Sequence, residues 1–203
     1  MAEITALFWD VGGVLLTNGW DRHARRRAAQ KFKLDWEDFE DRHELVVGRF
    51  ETGRLSLDRY LDRTIFYRSR DFGKDGFKAC MLDQSEPIEG TLEVVERLAR
   101  SARYLMGTLN NESRELNHYR IEHFGLRQYF SVFMSSCFLG VKKPEDEMFR
   151  LALDLSQRKP EECLFIDDRE LNVECAARLG LQTVHFENAA QLDRDLHSAG
   201  LEF

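Results

Sequence analysis

The chain has 203 residues, which suits one core domain with a modest insertion, and 43% of them are hydrophobic, enough for a buried core. The net charge of −7, with both signs interspersed, argues against nucleic acid as the main partner. No apolar run reaches the length of a membrane span, the N-terminus has no basic leader, and the four cysteines form no CxxC pair. We therefore expect a cytoplasmic protein with reduced thiols, no membrane partner and no zinc site.

The first predicted element is an apolar strand over residues 4–10 that ends at an acid. Asp10 is followed by Val11 and then by two glycines, Gly12 and Gly13. A carboxylate in this position lies where a buried strand leaves its sheet. The glycines let the backbone turn sharply and let a ligand approach it closely. The stretch therefore predicts that Asp10 is a nucleophile.

The next part of the chain, residues 16–86, contains no convincing strand. Helical patterns follow one another at 21–32, 35–50, 56–67 and, more weakly, 74–83. Ser56 is the predicted N-cap of the third helix, and Gly53 is predicted at the C-terminal cap of the second. We expect residues 16–86 to form a small helical cap domain, inserted after the first strand of a core domain made of residues 1–15 and 87–203.

From Pro87 onward, helices and strands alternate. The predicted helices are 90–101, 113–124, 144–156, 170–179 and 188–198, and the predicted strands are 103–109, 131–136, 162–167 and 182–187. Pro144 is expected to open its helix, and Gly180 to end the helix over 170–179. Together with the first strand, this alternation predicts an α/β fold: a Rossmann-like, mostly parallel sheet with helices on both faces.

Polar residues follow the predicted strands at the end where parallel sheets bind their ligands. They are Asp10 after the first strand, Thr108-Leu109-Asn110-Asn111 at the second, the adjacent alternatives Lys142 and Lys143 after the third, and Asp167-Asp168 at the fourth. Any one of these residues alone is a weak signal, because an acid at a strand end is often a helix N-cap and a loop lysine can be merely solvated. Four such groups in order, each at the same edge of the sheet, are a more specific signal of one site.

The chain resembles the haloacid dehalogenase-like hydrolase superfamily, in the branch with a helical cap inserted after the first strand. The matching pieces are FWDVGGV at 8–14, TLN at 108–110, GVKKP at 140–144 and LFIDD at 164–168. They cover nearly the whole chain in order. The resemblance is specific for the fold and less specific for the substrate.

The resemblance implies a role for each matching residue. Asp10 is the nucleophile that forms an aspartyl-phosphate and contributes to binding Mg²⁺, a hard ion that prefers oxygen ligands. Asp168 and the backbone carbonyl of Gly12 bind the same ion, and Asp167 is a candidate further ligand. Lys143 offsets the charge of the nucleophile and of the bound phosphate.

Two positions depart from the family pattern. A Ser or Thr directly before Asn is common there, whereas Leu109 separates Thr108 from Asn110. Either Thr108 supplies the phosphate-binding hydroxyl, or Leu109 occupies its place and backbone N–H groups bind phosphate, and Asn110 is a candidate amide donor in both cases. Gly12 stands where many phosphatases of the family have a second Asp, which protonates the leaving group and activates water.

Without that second Asp, the resemblance implies slow turnover unless the leaving group is good or another residue substitutes. Candidates in the cap are Asp21, His23 and Glu44. The implied function is a Mg²⁺-dependent phosphatase acting on a small phosphorylated metabolite, as a monomer or a homodimer. One alternative is a catalytically weak module that binds a phosphorylated ligand or a partner. A metal-independent 2-haloacid dehalogenase is disfavoured, because two further acids beside the nucleophile require a cation.

Overall fold

The computed structural model describes residues 2–203, which contain a five-stranded sheet. Its strands are β1 (Ala6–Trp9), β2 (Leu105–Asn110), β3 (Val132–Ser135), β4 (Cys163–Asp167) and β5 (Gln182–His185). They pair in parallel in the order β3-β2-β1-β4-β5. The central strand β1 is buried along its whole length, as its uninterrupted apolar sequence requires in a sheet covered on both faces. The predicted Rossmann-like parallel sheet is confirmed.

Ten α-helices lie within the described residues. They are α1 (Arg22–Lys31), α2 (Trp36–Glu51), α3 (Leu57–Thr64), α4 (Lys74–Leu82), α5 (Thr91–Ser101), α6 (Arg114–His123), α7 (Ser136–Leu139), α8 (Asp146–Ser156), α9 (Glu170–Arg178) and α10 (Ala189–Ser198). Nine were predicted, and the short α7 was not. Ser56 caps α3 as expected, because its side chain accepts a hydrogen bond from the Arg59 N–H. Between residues 2 and 203, no helix combines the length and the apolarity needed to cross a membrane.

The start of α8 differs from the prediction that Pro144 opens it. Asn111 donates to the Lys143 carbonyl and accepts from the Lys143 N–H, so the backbone just before Pro144 is committed to another loop. Glu145 is extended and serves as the N-cap, and the helix begins at Asp146. The loop contact therefore delays the helix by two residues.

Two apolar clusters cover the two faces of the sheet. Leu7 and Trp9 belong to one cluster, with residues of α5 and α10, and Ala6 and Phe8 belong to the other, with residues of α8 and α9. This split follows from the alternation of side chains along a strand. Each face therefore has its own layer of helices, which completes the α/β sandwich.

Helices α1 to α4 have an apolar cluster of their own. Phe39, Tyr60, Leu61 and Phe77 are buried in it, and Leu116 of α6 joins it from the sheet-covering part. We propose on this basis that residues 16–86 form a cap domain and that residues 1–15 and 87–203 form the core.

The chain passes into and out of this helical segment along two adjoining paths. The Thr17 N–H donates to the Glu86 carbonyl, and the Ile88 N–H donates to the Leu15 carbonyl. Both crossings therefore lie next to the end of β1, and they hold the helices over the edge of the sheet where Asp10 emerges.

Candidate active site

A cavity of about 500 Å³ lies beyond the carboxyl ends of the central strands. Asp10, Gly12, Lys143 and Asn172 line it on the side of the sheet. The helical segment contributes the opposite wall, which includes Trp20, Arg22, Arg25, His43, Val47 and Phe50. The cavity therefore lies between the sheet edge and the helical segment.

The register of the sheet brings two acids side by side. Trp9 of β1 pairs with Ile166 of β4, so Asp10 and Asp167 are the next residues of two adjacent strands. The ammonium of Lys143 lies between them, 3.0 Å from Asp10 Oδ2 and 2.6 Å from Asp167 Oδ2. Lys142, the adjacent alternative, instead pairs with Glu51 at 2.9 Å. Lys143 is therefore the lysine that reaches the end of β1.

The charges in this group shift one another's protonation. Burial raises the pKa of Asp10 to about 7; Lys143 opposes the shift, and the negative charges of Asp167 and Asp168 add to it. Burial disfavours the charged form of Lys143, but Asp10 and Asp167 outweigh it and raise the pKa of that ammonium. The lysine is therefore held as a buried cation among acids.

Asp167 is fixed by bonds to its own loop as well as by the lysine. Its Oδ1 accepts from the Arg169 N–H at 2.8 Å, and both of its oxygens lie 3.0 Å from the Asn172 amide nitrogen. The carboxylate is fully buried, at 0% exposure. Both of its oxygens therefore accept hydrogen bonds from the protein, including one from Lys143.

Asp168, in contrast to Asp167, has a carboxylate oxygen that accepts no hydrogen bond from residues 2–203. Its Oδ1 is buried and has no hydrogen-bond partner within the described part of the chain. One oxygen from each of Asp10, Asp167 and Asp168 lies within 4.8 Å of the others. Burial, with Asp167 adding to it, raises the pKa of Asp168. These three carboxylates carry more negative charge than the ammonium of Lys143 neutralises. Their oxygen atoms are ligands that suit a small divalent cation.

The residues predicted to bind phosphate from β2 do not line the cavity. Thr108 is fully buried, and its hydroxyl has no partner among residues 2–203. Leu109 packs in the apolar cluster with Phe8. Neither side chain lines the cavity, and the phosphate-binding role of the Thr108 hydroxyl stays a prediction.

The Asn110 amide is also unavailable. Its Nδ2 donates to Asn117 Oδ1 at 3.1 Å, and its Oδ1 accepts from the Ser135 hydroxyl at 2.8 Å. The amide therefore ties β2 to α6 and β3 instead of facing a ligand. The next two residues, Asn111 and Glu112, do line the cavity.

Glu112 and Arg120 are cavity residues that the sequence did not suggest. Arg120 is only 2% exposed, and its Nη1 lies 3.2 Å from Glu112 Oε2. Its Nε donates to the Ser85 hydroxyl at 3.0 Å, and its Nη2 donates to the Thr17 carbonyl at 2.8 Å. The available signal was the position of Arg120, which falls on the buried stripe of α6, four residues after Leu116.

The cap residues considered as substitutes for the missing second Asp differ in location. Asp21 lines the cavity, but its carboxylate is the N-cap of α1 and accepts from the Ala24 N–H at 2.7 Å. His23 and Glu44 are exposed and do not line the cavity. Arg25, which does line it, is paired with Glu40 at 2.6 Å.

The model of the haloacid dehalogenase-like hydrolase family matches residues 4–180. With the parallel sheet and the acid–lysine cluster at its edge, this match defines the class: the chain belongs to the haloacid dehalogenase-like hydrolase family. The protein is therefore a hydrolase, and the resemblance drawn from its four short motifs is confirmed.

Two curated relatives are similar over part of their length. Flavin mononucleotide hydrolase 1 of Arabidopsis thaliana, a chloroplast protein, is 31% identical over 168 residues, which is 80% of this chain and 65% of that protein. Glyceraldehyde 3-phosphate phosphatase of Pyrococcus furiosus is 29% identical over 110 residues, 54% of this chain and 45% of that protein. The chain thus spans less than two thirds of either relative.

A HAD family enzyme from Bacteroides thetaiotaomicron has the same fold. Its crystal structure superposes with a TM-score of 0.78 at 23% identity, over 92% of this chain and 95% of that one. The same enzyme in complex with magnesium and inorganic phosphate superposes with a TM-score of 0.73 at 22% identity, over 91% and 95%.

Proposed function

We propose that this hydrolase is a Mg²⁺-dependent phosphatase that acts on a small phosphorylated metabolite through an aspartyl-phosphate on Asp10. The observation that carries the proposal is the position of Lys143 between Asp10 and Asp167, with the unpartnered carboxylate oxygen of Asp168 beside them. A buried carboxylate with an ammonium at 3.0 Å is a nucleophile whose charge is supported where an anionic phosphoryl group must approach.

The residues divide the work between them. Asp10 attacks phosphorus, and Lys143 stabilises the charge that accumulates on the phosphoryl oxygens. Asp10, Asp168 and the Gly12 carbonyl would hold Mg²⁺, which when bound offsets the charge of the phosphoryl group and of the three acids. Asp167, the candidate further ligand, already accepts bonds through both of its oxygens, so we assign it to orienting Lys143.

The cavity supports a substrate with a phosphate at one end and an organic part at the other. Its volume of about 500 Å³ is within the usual range for small-molecule sites. The phosphate end belongs at Asp10 and Lys143, and the organic part lies against Trp20, Val47 and Phe50 on the helical wall. The helices would exclude water during the reaction.

The two curated relatives support the same class of substrate. Their names describe enzymes acting on flavin mononucleotide and on glyceraldehyde 3-phosphate, both of which are small phosphate esters. These two compounds are therefore the first metabolites to compare in a wider screen of phosphate esters with Mg²⁺.

The proposal is tested with an aryl phosphate, with and without Mg²⁺, in the wild type and in Asp10→Asn. We expect hydrolysis that requires Mg²⁺ and disappears in the variant. The matched control is Asp71→Asn, an exposed carboxylate between α3 and α4, which should retain activity. Chloride release from a 2-haloacid without metal would identify a dehalogenase instead. Inactivity in both assays, with phosphate still bound, would identify the weak binding module that Gly12 suggests.

We also propose that the protein works in the cytoplasm, as a monomer or a homodimer and without a nucleic-acid partner. All four cysteines are free and buried, which suits a reducing compartment. Size-exclusion chromatography with light scattering distinguishes the two oligomeric states.

A further inference from the structure

Gly12 leaves the phosphatase reaction without its usual proton carrier, and the molecule has a second acid close to that position. This inference rests on the proposed function. A Cβ at residue 12 would lie 2.8 Å from Asn18 Oδ1, a side-chain atom that must shift, and 3.4 Å from Arg120 Nη1. That same nitrogen is 3.2 Å from Glu112 Oε2. One guanidinium nitrogen therefore separates the Glu112 carboxylate from the point where a side chain at residue 12 would begin.

Glu112 also shares a cavity with the proposed nucleophile. Asp10, Gly12, Glu112 and Arg120 all line the same cavity. The candidates in the cap are committed or exposed, since Asp21 is a helix cap and His23 and Glu44 are exposed. His43 and Glu51 also line the cavity, but they are bonded to Tyr60 and Lys142. Glu112 is thus an acid that shares the cavity with the nucleophile and is not used for capping a helix.

The carboxylate is held firmly in place. Glu112 Oε1 accepts from the Ser113 N–H at 2.8 Å, and the Glu112 N–H donates to the Ser136 hydroxyl at 3.0 Å. Arg120 is itself clamped by Ser85 and Thr17. A fixed side chain loses little freedom when substrate binds, which favours proton transfer at a defined place.

The charges around Glu112 suit a group that exchanges protons. Burial raises the pKa of Glu112, Arg120 opposes that shift, and Glu51 at the end of α2 adds to it. Glu51 is in turn paired with Lys142. A carboxyl group whose pKa is raised keeps its proton to a higher pH, which favours its use as a general acid.

We propose that Glu112 is the acid–base catalytic residue of this enzyme, in place of a side chain at residue 12, and that Arg120 is its positioning residue. In the first step Asp10 bonds to phosphorus, the bond from phosphorus to the leaving oxygen breaks, and the Glu112 carboxyl gives that oxygen its proton. In the second step water attacks the same phosphorus while the Glu112 carboxylate takes a proton from it. The bond to Asp10 breaks, which releases inorganic phosphate and restores both carboxyl groups.

The test compares Glu112→Gln, which keeps the shape and removes the proton exchange, with Glu122→Gln, an exposed acid on α6, as the control. The probes are glycerol 2-phosphate, whose leaving group needs a proton, and 4-nitrophenyl phosphate, whose leaving group does not. In Glu112→Gln we expect kcat for glycerol 2-phosphate to fall ~10²–10⁴-fold and the pH limb that Glu112 controls to disappear. With 4-nitrophenyl phosphate we expect a burst of one nitrophenolate per enzyme followed by slow turnover.

A second variant, Gly12→Asp, tests whether an acid at residue 12 can replace Glu112. If Glu112 already carries the proton, Gly12→Asp in the wild type should raise kcat no more than a few-fold, whereas in Glu112→Gln it should restore glycerol 2-phosphate hydrolysis. A Glu112→Gln enzyme with the control's kcat and pH profile, or one that gives no burst, would overturn the inference. So would a rise of ~100-fold in Gly12→Asp alone. A wild type inactive toward both probes with Mg²⁺ instead overturns the proposed phosphatase function.

Discussion

Gly13 and Asp168 lie so close together that residue 13 has no room for a side chain. Gly13 has φ +87°, a conformation that other L-residues rarely adopt, and a Cβ built there would overlap the Asp168 carboxylate. The turn that ends β1 is therefore shaped around the acid that ends β4. This contact explains why residue 13 must be glycine, and the explanation does not apply to Gly12.

Gly13→Ala should consequently damage both stability and Mg²⁺ binding. The left-handed backbone costs a non-glycine residue about 1–2 kcal/mol, and displacing Asp168 removes a proposed metal ligand. Urea unfolding and calorimetric Mg²⁺ titration measure the two effects. Gly76→Ala is the matched control, because Gly76 lies within α4 with no atom within 4 Å of the added Cβ. That control should gain up to about 1 kcal/mol from helix propensity, and equal losses in both variants would contradict the account.

The two adjacent lysines should respond very differently to truncation. Lys143 is buried between Asp10 and Asp167, so Lys143→Ala leaves buried carboxylates without their cation and should cost about 3–5 kcal/mol. It should also abolish hydrolysis. Lys142 forms a partly exposed pair with Glu51, and its replacement by Ala should cost less than about 1 kcal/mol. Chemical unfolding of the two variants side by side decides the comparison, and a larger loss in Lys142→Ala would be inconsistent with the structure.

The convergence of Asp10, Lys143 and Asp168 on one edge could be predicted because parallel strands end on the same side of a sheet. The local signals behind the strands and helices were equally strong: an apolar run buried on both faces for β1, and Ser56 as the cap of α3. The strand and cap signals depend on residues near one another in sequence, and the convergence follows from the parallel topology that those strands and helices imply.

The remaining features depend on contacts between distant segments. The Asn110 amide is captured by Asn117 and Ser135, which no local pattern indicates. The pairing of Arg120 with Glu112 requires α6 to pack against the chain entering the helical segment, where Thr17 accepts from Arg120. Such polar networks form only when the tertiary structure forms. The sequence indicates them only through a charged residue on an apolar helix face, as with Arg120 on α6.

His43 should make the stability of the protein depend on pH. Its Nδ1 lies 2.9 Å from the Tyr60 hydroxyl, which also accepts from the Trp20 indole N–H at 2.8 Å. The Tyr60 O–H can donate to His43 only when the imidazole is neutral and its Nδ1 carries no proton. Burial, reinforced by the positive charge of Arg25, lowers the pKa of His43 to about 4.

The unfolded chain takes up this proton near pH 6.5, while the folded protein resists it until about pH 4. The contribution of His43 is therefore fully present above pH 6.5 and is lost as the pH falls toward 4, by at most about 1.4 kcal/mol per pH unit. Asp10, whose pKa burial raises to about 7, titrates in the same range with the opposite effect on stability, so the comparison is between proteins. From pH 7.5 to 4.5 the unfolding free energy of the wild type should fall more steeply than that of His43→Gln. His23→Gln, at an exposed position on α1, serves as the control with the wild-type slope. Identical slopes in all three proteins would refute the assignment.

Asp168→Asn should stabilise the metal-free protein and make it insensitive to Mg²⁺. The wild-type carboxylate carries a buried oxygen without a hydrogen-bond partner in the described residues, beside Asp10 and Asp167. Removing its charge relieves that repulsion, and we expect the free energy of unfolding in EDTA to rise by about 1 kcal/mol.

In the wild type, saturating Mg²⁺ should raise the melting temperature by mass action, since the ion binds only the folded site. Thermal unfolding in EDTA measures the first effect. Thermal unfolding in Mg²⁺ at roughly 10 to 1,000 times the titrated Kd measures the second. Glu170→Gln, an exposed acid two residues further on, should respond to Mg²⁺ like the wild type. An Asp168→Asn protein that is less stable in EDTA, or that Mg²⁺ still stabilises, would place the ion elsewhere and assign Asp168 to holding the fold.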